Sequence, residues 1–419
     1  MRLFLLSIFL MLNGASQLYA QLTPKEYRDQ VVGYSWTLKG AENTVIQSEE
    51  SLAYTRTLLL PKLSASGSYR YFLRHYDGQK PWSVALEPLI VQTIYGGGVV
   101  RAEVAKAQLT NQVAVCSADF TLLEVNYAAD YAYWNYWAMN RYYQVMRQYV
   151  EIIERQSEKI RHRYDEGYIS KGDLLMIQSR LSEAEYELIS ANKTQMEALY
   201  NLNVLRGSSP SDTVSMEKIV VDDYKTPQRL PLDQVIAQRP DYSAMLLKEQ
   251  IAQQDIRSVR GGYNPTLQGG VAGGLRSYTP NFNGETYWDG SVYVSLSIPI
   301  YRFGERRKAV AVSKSSERQA VMNSATLLDE IIQDESNAWL SLVESRAQID
   351  VATESLNIAS QNLAISTYSY DEGLVSILDL MQAQISWMQI YTNAISSEYN
   401  YLVALAYYNK TIASNRGLN

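Results

Sequence analysis

Cysteine occurs once in this 419-residue chain, at Cys116, and histidine twice, at His75 and His162. One thiol cannot form an intrachain disulfide, and two histidines so far apart carry no ligand spacing, so no disulfide framework or metal centre is expected. Cys116 lies in a helical stretch and reads as a small buried hydrophobe. Positive charge is not in excess: 38 Lys and Arg stand against 44 Asp and Glu, with no basic stripe, which argues against a nucleic-acid partner. After residue 20 no apolar run approaches about twenty residues, so no transmembrane helix is expected. The glycine run Gly96-Gly97-Gly98 has no following Lys-Ser/Thr, and no Ser/His/Asp set accompanies it. Neither a phosphate loop nor a nucleophilic site survives, so the expectation is a non-enzyme without a cofactor. A di-metal helical bundle is excluded by the missing Glu-x-x-His motif. Proline is absent from Val99 until Pro210, and again from Tyr301 to Asn419. Such stretches leave room for helices far longer than average.

Residues 1–20 read as a secretory leader. Arg2 is the basic start, Leu3 to Leu12 the apolar core, and Tyr19-Ala20 precedes a cleavage site before Gln21. No cysteine follows to carry a lipid anchor. The mature chain opens with Thr23-Pro24-Lys25-Glu26, an N-cap, a first-turn proline and a capping-box glutamate.

The chain then says one thing twice. Tyr164 to Gln178 reads YDEGYISKGDLLMIQ, and Tyr370 to Gln384 reads YDEGLVSILDLMQAQ. A repeat about 200 residues apart means a duplicated domain, not a short solenoid unit. In each copy a glycine, Gly167 or Gly373, can end a helix in the left-handed conformation. Ser170 and Ser376 then stand three residues before Asp173 and Asp379, the spacing of a helix N-cap and its acid. Each copy therefore predicts a turn between two long helices.

The flanks repeat as well. In the first repeat, 21–206, a helix runs towards Leu60 with breaks near Gly33 and Gly40. A β-hairpin follows over 63–95 and a long helical hairpin over 99–206. A linker at 207–231 joins it to the second repeat, 232–413. That repeat has a helix from Leu232 to Arg260, a β-hairpin over 267–300 with its loop at Asn281-Phe282-Asn283-Gly284, and a helical hairpin over 304–413. Residues 414–419 form a tail. The first long helix, at about sixty residues and 1.5 Å each, would span roughly 90 Å. Its aromatics, Tyr127, Tyr131, Trp134, Trp137, Tyr142 and Tyr149, read as helix–helix packing. In the last strand Trp288, Val292, Val294, Leu296 and Ile298 alternate with Ser291, Tyr293, Ser295 and Ser297, a period-two pattern. Strands this long can cross a bilayer when tilted, although a soluble hairpin has the same pattern.

These residues carry a resemblance. The order helix, β-hairpin, helix, helix occurs twice. Gln238-Arg239-Pro240-Asp241-Tyr242, with Asp255-Ile256-Arg257 and the strand entry at Pro265, is similar to an "RPD … P-x-L" segment. Ile298-Pro299-Ile300-Tyr301-Arg302-Phe303-Gly304 is similar to a "QPIYDGG" strand-to-helix junction. With the paired Tyr-x-x-Gly-x-x-Ser-x-x-Asp-Leu turns, the mature chain resembles the TolC-like outer-membrane efflux and secretion channels.

The resemblance implies a mainly α fold with a membrane β-barrel portion. Three copies would share one barrel of twelve strands, four from each, and their helical hairpins would form a periplasmic α-barrel with the linker as a belt. It implies the outer-membrane component of a tripartite efflux or type I secretion system: a passive duct gated at its periplasmic tip. The implied partners are a homotrimer, a periplasmic adaptor (membrane fusion) protein, through it an inner-membrane pump, and outer-membrane lipid. Gly167, Ser170, Gly373 and Ser376 match the tip that meets the adaptor. Asp379 matches a gate aspartate, and a second gate acid falls at Gln382, which is uncharged. Tyr370 and Asp173 match a tyrosine–aspartate bond that holds the entrance closed, and the basic residue that assists it falls at Val375. The competing reading is a periplasmic coiled-coil structural or adaptor protein without a pore. An adaptor would carry one hairpin between small β domains, whereas two hairpins here alternate with paired strands.

Overall fold

A computed structural model describes residues 21–216, 226–278 and 284–414. The expected leader at 1–20, the middle of the linker at 217–225, the loop residues 279–283 and the last five residues of the tail lie outside the described residues. In chain order the elements are α1 (Pro24–Tyr34), α2 (Trp36–Thr57), β1 (Lys62–Tyr71), β2 (Trp82–Gly96), α3 (Val99–Asp165) and α4 (Lys171–Leu205). They continue with α5 (Leu232–Gln238), α6 (Pro240–Gly261), β3 (Thr266–Ser277), β4 (Thr286–Ser297), α7 (Glu305–Asp371) and α8 (Ile377–Thr411). α3 and α7 are each 67 residues long, and α4 and α8 are each 35. The duplication in sequence is thus a duplication in structure.

Local chemistry sets the boundaries. Thr23 Oγ1 accepts from the Glu26 amide at 3.2 Å, and the Glu26 carboxylate accepts from the Thr23 amide at 3.1 Å, the expected capping box. The break expected near Gly33 and Gly40 falls at Ser35. Its hydroxyl accepts from the Leu38 amide and starts α2, while Gly40 lies within that helix. The single helix expected from Leu232 to Arg260 is two helices. Arg239 is extended (ψ 115°), as a residue before proline prefers, and Pro240 opens α6.

The chain forms two compact units. Counting described residues alone, one falls within 40–120 and 240–329, and the other within 21–39, 121–239 and 330–414. The first holds an antiparallel sheet in the order β1-β2-β3-β4. Its register sorts the side chains cleanly. On one face Leu63, Tyr69 and Tyr71 of β1 lie opposite Ile90, Val84 and Trp82 of β2. On the same face Leu267, Val271 and Leu275 of β3 lie opposite Leu296, Val292 and Trp288 of β4. Every Asp, Glu, Lys and Arg of the four strands lies on the other face, among Ser64, Ser66, Ser68, Ser291, Ser295 and Ser297. There Arg276 bridges Glu87 at 3.3 Å and Asp289 at 3.7 Å. The apolar face is uncovered: Val292 is 81 % and Trp288 78 % exposed. In water such a face would be costly; against lipid it is the expected pattern of a barrel wall. Among the described residues β1 and β4 each leave one edge unpaired, which lipid does not tolerate.

Where β2 enters α3, Gly97 and Gly98 have φ of 66° and 94°. A Cβ on Gly97 would come 2.3 Å from the Gly261 carbonyl, so the turn requires glycine. Asn264 Nδ2 donates to the Gly97 carbonyl at 2.9 Å and fixes the bend. Lys106 pairs with Asp255 at 2.7 Å and holds α3 to α6.

The second unit is packed on aromatics. Tyr27, Tyr133, Tyr401 and Tyr408 are fully buried, and the Tyr27 and Tyr133 hydroxyls donate to the carbonyls of Leu202 and Leu22 at 2.9 and 2.7 Å. Arg229, on the linker, forks onto the buried Glu335 of α7 at 2.9 and 2.6 Å. Arg28 pairs with Asp130 at 3.1 Å inside this core. Among the described residues no helix is long and apolar enough to cross a membrane, and no three His, Cys, Asp or Glu side chains converge as a metal site.

Candidate functional site at the paired helix turns

The two repeated turns close alike. α3 ends at Gly167, with φ 80°, and the Tyr168 amide donates to the Arg163 carbonyl at 2.9 Å. α7 ends at Gly373, with φ 74°, and the Leu374 amide donates to the Ser369 carbonyl at 2.8 Å. Both are left-handed glycine caps that satisfy the last helical carbonyls. Each next helix then starts on a capping box. Ser170 Oγ accepts from the Asp173 amide at 3.2 Å, and Asp173 Oδ2 accepts from the Ser170 amide at 3.2 Å and its hydroxyl at 3.0 Å. Ser376 and Asp379 make the same set at 3.3, 3.1 and 2.7 Å.

The electrostatics differ between the copies. The Asp379 carboxylate is solvent-exposed, and the bonds from the Ser376 hydroxyl and amide hold its pKa below the usual carboxylate range. Gln382 is exposed one turn further along α8. Tyr370 is buried at the end of α7, and its phenol pKa is raised, first by that burial. The Arg163 guanidinium, 5.7 Å from its ring centre, works against the rise, whereas the Asp173 and Asp371 carboxylates add to it. Arg163 Nη2 also donates to the Asp371 carbonyl at 2.9 Å, and Lys159 Nζ reaches Asp371 Oδ1 at 2.6 Å. Arg163, Glu166, Asp173, Tyr370 and Asp371 line one open cleft of about 640 Å³.

The structure therefore brings Tyr370 and Asp173 into one cleft. The hydrogen bonds of the Asp173 carboxylate run to Ser170, and the cation beside the Tyr370 phenol is Arg163. Val375 packs against the apolar core of the tip with Ile177, Ile377 and Leu380. Gly167, Ser170, Gly373 and Ser376 are all exposed at the turns. Sequence reasoning passed over Lys159, Arg163 and Asp371. A signal was present: Arg163 precedes the first YDEG copy, while Ser369 holds the matching place in the second.

A four-stranded sheet with one bare apolar face, joined to two long helical hairpins with matched turns, defines a membrane-wall protein with a helical extension. The chain belongs to the outer membrane efflux protein family, which it matches over residues 30–208 and 232–407. It is therefore an outer-membrane protein whose long helices make a periplasmic extension. Outer membrane protein TolC of Escherichia coli (strain K12) is 21 % identical over 374 residues, covering 84 % of this chain and 74 % of that protein. Among solved structures, the Campylobacter jejuni CmeC outer membrane channel is similar with a TM-score of 0.82 at 17 % identity, over 93 % of this chain and 85 % of that one. The open state of the Neisseria gonorrhoeae MtrE outer membrane channel is similar with a TM-score of 0.78 at 17 % identity, over 93 % and 88 %. These likenesses show the fold.

Proposed function

We propose that the chain is the outer-membrane duct of a tripartite efflux or type I secretion system, a homotrimer that conducts passively and is gated at its paired helix turns. The carrying observation is the sheet: an apolar exposed face, a charged and serine-rich opposite face, and two unpaired edges. Four strands cannot close a barrel, so further copies must pair with β1 and β4, and three copies would supply twelve strands. Energy for transport comes from a partner, because the duct performs no reaction and needs no cofactor. At the tip, Asp379 forms the constriction with the uncharged Gln382, and Tyr370 with Asp173 belongs to the device that holds it shut. Arg163 and Lys159 supply the positive charge that Val375 does not. Gly167, Ser170, Gly373 and Ser376 present the turns to a periplasmic adaptor, which reaches an inner-membrane pump. The adaptor reading leaves the bare apolar sheet face without a solvent and is not favoured.

The test joins light scattering of the detergent-extracted protein with planar-bilayer recording. A trimer that gives discrete conductance steps supports the duct. A monomer released without detergent, giving no steps, overturns it.

A further inference from the structure

The passage from β4 to α7 carries two features that the duct does not use. The first is apolar. Ile300 is 93 % and Phe303 89 % exposed, continuing past the strand from Leu296 and Ile298 of the bare face. Phe303 is also held at φ 44°, where the matching residue of the first repeat is Gly97. A left-handed conformation is strained for a residue other than glycine. Its ring meets Tyr301 edge-on, 4.7 Å between centres, and both rings remain exposed. The second feature is charge. Arg260 at the end of α6 and Arg306, Arg307 and Lys314 of α7 line one groove of about 550 Å³ with Val310 and Ala311. None of these four cations has an ion-pair partner among the described residues, although Arg302 beside them pairs with Glu305. Four like charges around one groove repel one another unless an anion occupies it.

Position decides which anion. Arg306 and Arg307 lie within about 3 Å of the start of α7 at 1.5 Å per residue. They follow within four residues of the exposed Phe303, just past the connection that leaves the apolar strand face, on the side where the headgroups of that leaflet would lie. Lys314 stands about 14 Å along the helix and can reach back with its flexible stem. Exposed aromatics beside the hydrocarbon, followed by basic side chains, are the arrangement that anchors a protein to an anionic lipid surface.

We propose that this groove binds the phosphate headgroup of an anionic phospholipid of the periplasmic leaflet, with Phe303 and Ile300 set among its acyl chains. The inference rests on the outer-membrane placement of the sheet and not on gating or transport. It gives the protein a lipid-dependent collar at the point where strand becomes helix.

The test is native mass spectrometry of the full detergent-purified protein, titrated with dioleoylphosphatidylglycerol and separately with dioleoylphosphatidylcholine. The wild type should retain phosphatidylglycerol and not phosphatidylcholine. The double variant Arg306→Gln/Arg307→Gln should bind it about 30-fold more weakly, which converts to about 2 kcal/mol, or about 1 per charge removed. Phe303→Gly, which suits the backbone, should weaken retention without touching charge. Retention equal to wild type in both variants, with the oligomer intact, overturns the proposal. Competition by millimolar inorganic phosphate as strong as that by the lipid would make the groove a general anion site and also overturn it. So would loss of the oligomer in the double variant with lipid retention unchanged, which would assign the cations to contacts between copies.

Discussion

Lys159 of α3 and Asp371 at the end of α7 form an ion pair of 2.6 Å that ties one helical hairpin to the other, beside the Arg163 bond to the Asp371 carbonyl. Both side chains of the pair are more than a third exposed, at 48 % and 36 %, so solvent screening limits it to below about 1 kcal/mol. A clasp that weak can be released by a partner and by salt. Lys159→Ala and Arg163→Ala are each expected to speed amide exchange in 163–175 and 369–380 and to raise the uptake of a large polar antibiotic by cells. Exchange and uptake equal to wild type in the double variant would count against the clasp.

The two capping boxes predict a local loss. Ser170→Ala and Ser376→Ala each remove the acceptor for the acid's amide, which costs about 1 kcal/mol. The first turns should fray, seen as faster exchange at the starts of α4 and α8, with the remote β-sheet unaffected. Ser→Asp at the same positions should restore protection, because aspartate caps as well.

Face assignment in the sheet predicts opposite outcomes for one new charge. Val292→Arg places a cation on the bare apolar face and should cost about 2–4 kcal/mol at the bilayer midplane. Ser295→Arg, on the charged face, should be tolerated. The amount of folded protein in the outer-membrane fraction separates them, and equal yields of both variants would contradict the assignment.

Much of this was legible in the sequence, because period and punctuation are local signals. The absence of proline set the reach of α3 and α7, and the glycine and serine spacing set both turns. What escaped is partly local competition between helix breakers and partly contact between residues distant in sequence. The break at Ser35 is fixed by its own hydroxyl and not by a nearby glycine, and Pro240 divides a stretch whose apolar pattern continues through it. At the tip, Asp173 and Asp379 were visible as caps and gate candidates. Arg163 acquires its place only when α3 and α7 bring it to Tyr370. The linker's hold on α7 through Arg229 and Glu335 likewise joins residues about a hundred apart, with no local pattern to announce it.

Asp130 makes stability depend on pH. Burial pushes its carboxyl up to about 6, and the Arg28 charge only partly offsets this. Between its ordinary pKa of 3.8 and about 6 the folded state holds a proton that the unfolded state has released. Stability from this group therefore rises as pH falls from 7 towards 4, by on the order of 3 kcal/mol. Asp130→Asn should flatten that part of the pH profile of Tm. Arg28→Ala should cost about 3–5 kcal/mol at pH 7, since it leaves a buried carboxylate unpaired. An unchanged profile in Asp130→Asn would remove Asp130 as its source.

The central claim, a duct narrowed at the second turn, is tested most directly by single-channel recording of the wild type and Asp379→Ala in planar bilayers. Small, cation-preferring steps are expected in the wild type. Because the Ser376 bonds keep Asp379 ionised below the ordinary carboxylate range, that preference should persist into acid, through pH 5. Asp379→Ala should lose the preference or give larger steps. Large steps of equal size and selectivity from both proteins would leave a channel whose constriction lies elsewhere. No steps from either folded protein would contradict the duct itself.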